Sequence, residues 1–154
     1  MPRRSIKTDK NMYFKSREKA GLTRDAASEL MEFISADRIE RIESGKSEPH
    51  PDEVLRMGEC YHDPFMANHY CTSECPIGRK YIPQVTEAEL AVIVLQIMDS
   101  INSLSESKNK LISITSDGVI SEDEKPDFEA ICEQLDRISS AAATLKLWME
   151  YKIK

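Results

Sequence analysis

Three of the chain's four cysteines and two of its three histidines fall within CYHDPFMANHYCTSECPIGRK, from Cys60 to Lys80. Thiolates and imidazoles brought together can hold a metal, exchange electrons, or pack as small hydrophobes. Cys71 and Cys75 are separated by three residues, and His69 precedes Cys71 by two. With Cys60 from the preceding segment they make a Cys3His donor set, the chemistry of a closed structural zinc site, with His62 as a substitute ligand. Two other readings stay open. The thiols can be reduced and buried as packing, or they can sense redox state or hold an iron–sulfur cluster. Sensing requires accessible thiolates in electropositive surroundings, such as Arg79 and Lys80 offer. Cys132 lies on an apolar stripe and reads as a core residue.

The elements that must position these residues are helical. β-branched residues are scattered and alternation never persists, so strand signal is nearly absent. Thr23 reads as the N-cap of RDAASELM, with Gly21 ending the helix before it. Ser35 caps ADRIERIES, in which Ile39 and Ile42 share a face and Gly45 is the stop. HPDEVLRMGECY is a further helix with Pro51 in its first turn. Pro64, Pro76 and Pro83 then interrupt the pattern and mark a joint. Beyond it, Leu90, Val94, Ile97, Ile101 and Leu104 alternate in steps of four and three, a heptad-like seam. Gly118 ends that helix, and Ser121 with Glu124 has capping-box spacing. Phe128, Ile131, Leu135, Ile138, Ala142 and Leu145 form the stripe of the last helix, whose start Pro126 kinks or delays.

The fold expected is therefore all-α. A basic N-terminal arm (1–10) leads into a five-helix unit (11–63), a cysteine-rich joint (64–85) and a long helical hairpin (86–154). Charge follows the same division. Up to Gln84, 14 basic residues balance 14 acidic ones, so the net charge of −6 lies wholly beyond it. Met1–Arg24 alone carries eight basic residues (Arg3, Arg4, Lys7, Lys10, Lys15, Arg17, Lys19 and Arg24) against two acidic ones. A basic start points to a polyanion, and an acidic hairpin to a different task. The opening MPRRSIKTDK has no apolar stretch behind its basic residues, which predicts a cytoplasmic chain with reduced cysteines.

Two short helices with a tight connection, the second presenting charge, form the pattern of a DNA-binding helix-turn-helix. SREKAGLTRDAASELMEFISADRIERIESGKSEP resembles the phage-repressor-like (XRE, Cro-type) helix-turn-helix family through REKAGLT, ISADRIERIESGK and the following Pro49. Three departures stand out: Arg24 where the family has Gln, Ser28 where it has Ala, and a turn about one residue longer in ELMEFIS. The resemblance implies a lambda-repressor-like domain in which Arg17 and Glu43 form an internal ion pair. Ile39 and Ile42 would face inward, while Asp37, Arg38 and Arg41 face a major groove. There arginine reads guanine and an acid accepts from cytosine. Arg24 and Lys46 are placed for phosphates, and Arg3 and Arg4 for nonspecific or minor-groove contact. Tyr70–Gly78 resembles the YC…CPIG segment of a subset of these regulators. Such relatives carry another cysteine near position 67, which Cys60 would replace from a different point in the chain.

The function expected is sequence-specific transcriptional regulation, as repressor, by a homodimer on an inverted-repeat operator. The alternative is an interaction module, an antitoxin or adaptor, whose acidic hairpin binds a partner. SITSDGVISEDE places Asp117, Gly118, Ile120 and Glu124 as in a calcium loop, but Ser113 and Thr115 stand where the leading carboxylates belong, so it reads as a turn. No Walker loop, G-x-G-x-x-G or Ser/His/Asp arrangement is present, so no enzyme is expected.

Overall fold

The computed structural model describes residues 10–153. Arg3, Arg4 and Lys7 of the basic arm lie outside the described residues. Among those described there are eight helices and no strand. The chain divides into two compact units, Met1–Gly78 and Arg79–Lys154.

In the first unit, side chains that accept from free backbone N–H groups start the helices. Asn11 accepts from Phe14 N at α1 (Met12–Lys19), Thr23 from Ala26 N at α2 (Arg24–Met31), and Ser35 from Arg38 N at α3 (Ala36–Glu43). At α4 (Pro51–Tyr61), His50 and Glu53 close a reciprocal capping box. Gly21 and Gly45 follow α1 and α3 with φ of +72° and +70°, a backbone conformation that suits glycine. The segment expected as a joint continues as α5 (Phe65–Ser73) and the short α6 (Gly78–Tyr81). Met66 of α5 joins Tyr13, Met31, Ile34, Ile39, Ile42, Val54, Met57 and Tyr61 in the core. Two polar ties fasten this segment to α1: Ser16 Oγ donates to Asp63 (2.5 Å), and Tyr13 Oη to Glu74 (2.8 Å).

The second unit is a hairpin of α7 (Leu90–Ile114) and α8 (Lys125–Lys152). Gly118 turns the connection at φ +75°. The N–H and hydroxyl of Ser121 both donate to Glu124, and Glu124 itself is the N-cap of α8. Pro126, second residue of α8, thus delays its start rather than kinking it.

The seam differs in register from the sequence expectation. α7 turns inward Ile93, Ile97, Ser100, Leu104, Ser107, Leu111 and Ile114, which are buried or half-buried. Leu90, Val94 and Ile101, expected in the seam, are exposed. In α8, Ile131, Ile138, Ala141, Thr144, Leu145 and Trp148 lie inward, while Leu135, Ala142 and Met149 are exposed. Both helices carry more apolar residues than one stripe holds, and packing chose the stripe that includes serines and a threonine.

Ile93 is fully buried, whereas Leu95 is 68 % exposed. Ile93→Ala should cost about 2–5 kcal/mol and Leu95→Ala no more than about 0.5 kcal/mol. Denaturant unfolding followed on the hairpin's single tryptophan, Trp148, checks the difference.

Candidate nucleic-acid interface

α3 offers one charged face to solvent and fixes the other through two carboxylates. Glu43, at its last turn, is buried with its side chain 1 % exposed. It accepts from Arg17 of α1 through two bonds, Nε to Oε1 at 2.5 Å and Nη2 to Oε2 at 3.0 Å. Arg24, at the start of α2, reaches the same carboxylate with Nε 2.8 Å from Oε2. The Arg17 Nη1 also donates to the Leu22 carbonyl (2.6 Å). This hydrogen bonding to Glu43, against the opposing effect of burial, holds the Arg17 guanidinium even more firmly protonated than usual. The ion pair expected between Arg17 and Glu43 is therefore present, and it is a triad. Arg24, expected at a phosphate, spends its Nε on Glu43, and its side chain is 38 % exposed.

The second carboxylate is Glu53, at the start of α4. Arg38 binds it with Nε 2.7 Å from Oε1 and Nη2 2.6 Å from Oε2. Arg38 further donates to Ser47 Oγ and to the Glu48 carbonyl. Glu53 Oε2 also accepts from the backbone N–H of His50 at 2.7 Å. Arg38 thus departs from the expectation that it faces the groove beside Arg41. It spans from α3 to the loop and to the next helix, with its donors on partners within the chain and its side chain half-buried. The sequence carried one sign of this, the position of Glu53 three residues after the His50 cap.

What remains outward is Asp37 and Arg41, both exposed and neither held by an ion pair among the described residues. They are four apart, one turn of helix, and so project side by side. Ile39 and Ile42 are buried beneath them, and Asn11 Nδ2 caps the Ile42 carbonyl at 2.8 Å. Lys46, just past α3, lies 3.3 Å from Glu40 in an exposed and therefore weak pair. A pair of free side chains on a helix locked from behind can enter a major groove without ordering cost in the backbone.

Residues 15–62 match the family described as helix-turn-helix domain. No curated protein and no solved structure matches the chain. The matched span runs from α1 to the end of α4, so the helix-turn-helix is α2 and α3 with their flanking supports. This is the domain type of DNA-binding regulators, consistent with the phage-repressor-like resemblance.

The cysteine segment does not assemble its donors. Among the described residues no group of three or more His, Cys, Asp or Glu is placed to hold a metal ion. His69 and Cys71, both in α5 and two residues apart, project from nearly opposite sides of the helix. Cys60 packs against the core from α4, and burial pushes its thiol up, with Arg56 opposing more weakly. Cys75 Sγ accepts from the N–H of Gly78 (3.4 Å). Gly78 itself lies so close against the Cys71 backbone that no Cβ fits there. Cys60, His69, Cys71 and Cys75, with His62 exposed at the α4 terminus, do not fit a zinc site in this arrangement. No helix among the described residues is long and apolar enough to cross a membrane.

The Arg38 guanidinium is the main influence on Glu53 and holds its carboxyl below the usual range, with the His50 N–H adding to the effect against burial. A carboxylate lowered on folding stabilises the protein fully above its unfolded pKa, about 4.3. That stability is lost as pH falls through the lowered value. Glu53→Gln should therefore reduce stability at neutral pH and flatten the loss on acidification, as urea titrations from about pH 7 down to about pH 3 would show.

Proposed function

We propose that the chain is a sequence-specific transcriptional regulator, a repressor, that binds an inverted-repeat operator as a dimer. The observation that carries the reading is the division of α3. Arg17 and Arg38 are consumed in holding the helix, Arg24 commits its Nε to the same task, and Asp37 and Arg41 are left free on its outer face. Arg41 pairs with guanine O6 and N7, Asp37 accepts from cytosine N4, and Lys46 neutralises a phosphate. One such helix reads only a few base pairs, so two half-sites are needed for specific affinity.

The hairpin supports a dimer. Only Ile93, Ser100, Ile114, Ile131, Ala141 and Thr144 of its two long helices are buried, a thin core for a unit of this length. Leu90, Val94 and Ile101 lie about a quarter turn from the α7 seam. Leu135, Ala142 and Met149 lie about a quarter turn from the α8 seam, in the same rotational sense viewed from each N-terminus. In an antiparallel pair that puts both sets on one face. Helices of 25 and 28 residues, each roughly 10 Å wide at about 1.5 Å per residue, give a face of roughly 800 Å². A standard interface takes about 800 Å² from each partner. The exposed face also suits the second reading, a different protein seated on the hairpin as in an antitoxin or adaptor, and the oligomeric state separates the two.

Arg41→Ala should cost about 1–3 kcal/mol of specific affinity and leave unfolding unchanged. Arg38→Ala should lower stability. Band-shift titrations on a duplex selected from a random pool, beside urea unfolding of each variant, give both numbers; equal affinity after Arg41→Ala would remove Arg41 from the interface. Val94→Glu with Leu135→Glu should convert a dimer to a monomer in sedimentation and weaken operator binding with it. A wild-type chain that sediments as a monomer at micromolar concentration would overturn the dimer.

A further inference from the structure

Cys71 and Cys75 assemble no metal site, yet the chain folds the second back toward the first. The N–H groups of Glu74 and Cys75 both donate to the Tyr70 carbonyl, at 2.9 and 3.0 Å, which winds Cys75 over the last turn of α5. Cys75 thus follows Cys71 by one helical turn, a spacing that sets two Cβ atoms about 5–6 Å apart. Gly78 touches both residues. Its N–H donates to Cys75 Sγ at 3.4 Å, and it is packed against the Cys71 backbone. Burial raises the Tyr70 hydroxyl above its usual range, and Cys75, Glu74 and Cys71 add to the rise, so both sulfurs lie near one hydroxyl. Both thiols are free and half-buried, within reach of a small solute.

Glu74, between the two cysteines, begins a chain of contacts that runs to α3. Its carboxylate accepts from Tyr13 Oη at 2.8 Å. Tyr13 and Arg17 are buried on one side of α1, four residues apart, and Arg17 clamps Glu43 at the end of α3. A disulfide requires Cβ atoms about 3.5–4.5 Å apart. Forming one here draws the cysteines together by roughly 1–2 Å. Gly78 is already seated against Cys71, so the shift falls on the turn that carries Glu74.

We propose that Cys71 and Cys75 are a reversible oxidation site: a hydroperoxide joins them as a disulfide, which draws Glu74 from Tyr13 and loosens α1 against α3. The consequence for DNA binding rests on the function proposed above. The Cys75 thiolate, favoured by the Gly78 N–H, attacks the peroxide O–O bond and becomes a sulfenic acid. The leaving alkoxide or hydroxide takes up the proton that Cys75 released. Cys71 then attacks the oxidised sulfur; the S–S bond forms, the S–O bond breaks, and the hydroxide leaves as water with the Cys71 proton. Two thiols lose two electrons and the peroxide gains them. A thiol reductant reverses the step by exchange.

The test compares the full chain, reduced and after hydrogen peroxide, by mass spectrometry. Cleavage after Glu74 separates the two cysteines, so the peptides that carry them should stay joined in the oxidised sample and part on adding dithiothreitol. Amide hydrogen exchange along α1 should quicken at least tenfold on oxidation. Affinity for a duplex selected with the reduced chain should fall at least tenfold and return with the reductant. Cys71→Ser should keep the reduced chain's exchange and affinity and lose every response to peroxide. Tyr13→Phe should exchange quickly in α1 before oxidation and change no further after it. A sulfenic or sulfinic acid without a disulfide, a disulfide through Cys60 or Cys132, or a Cys71–Cys75 bond that leaves α1 exchange unchanged would each overturn the proposal. A reduced chain that selects no duplex removes the regulator reading instead, and peptide mapping with α1 exchange still decides this one.

Discussion

A carboxylate with almost no access to water needs donors around it, and Glu43 draws those donors from two other helices. Arg17 arrives from α1 and Arg24 from the first position of α2. Because the acceptor sits at the last turn of α3, the triad sets the end of that helix relative to both. Removing Arg17 takes the bidentate partner from a buried carboxylate, whereas removing Arg24, which is partly exposed, leaves the Arg17–Glu43 pair in place. Hydrophobic burial of Ile39 and Ile42 supplies the larger attraction, but it is non-directional. The bidentate Arg17–Glu43 geometry is what fixes rotation about the α3 axis.

Arg38 and Arg41 show how neighbours divide labour between identical side chains. Both occupy α3, and both look like groove-facing cations in sequence. Glu53 lies within reach of Arg38 and not of Arg41, so one becomes a strut between α3 and α4 and the other stays free. The strut also joins the loop after α3 to the start of α4, where the same carboxylate completes the His50 capping box. A single acid thereby anchors Arg38 of α3 and caps the start of α4.

The hairpin presents the opposite situation, with too little directional information for a single register. Apolar residues lie on two adjacent stripes of each helix, and either can form a seam. The stripe that packs inward includes Ser100, Ser107 and Thr144, whose hydroxyls of Ser100 and Thr144 return to carbonyls four residues back at 2.7 and 2.8 Å. Small hydroxyl-bearing residues let the helices approach closely at modest polar cost. The larger aliphatics on the second stripe remain available to another chain.

The sequence by itself determined the helical class, the caps at Thr23 and Ser35, the turn glycines, and the helix-turn-helix with its Arg17–Glu43 pair. These are local or carried by a family pattern of fixed spacing, and local hydrogen bonding decides them. It also located the outward position of Arg41. Only the tertiary structure decided that Arg38 pairs with Glu53, that Arg24 joins Glu43, and that the hairpin buries Ile93 and Ser100 rather than Val94 and Ile101. Each of these depends on which residue from another segment comes within a few ångströms, and spacing along the chain carries no such distance. The cysteines mark the same limit. Their count and spacing suggested a ligand set, but the two-residue separation of His69 and Cys71 acquires its meaning only once α5 is a helix that sends them apart.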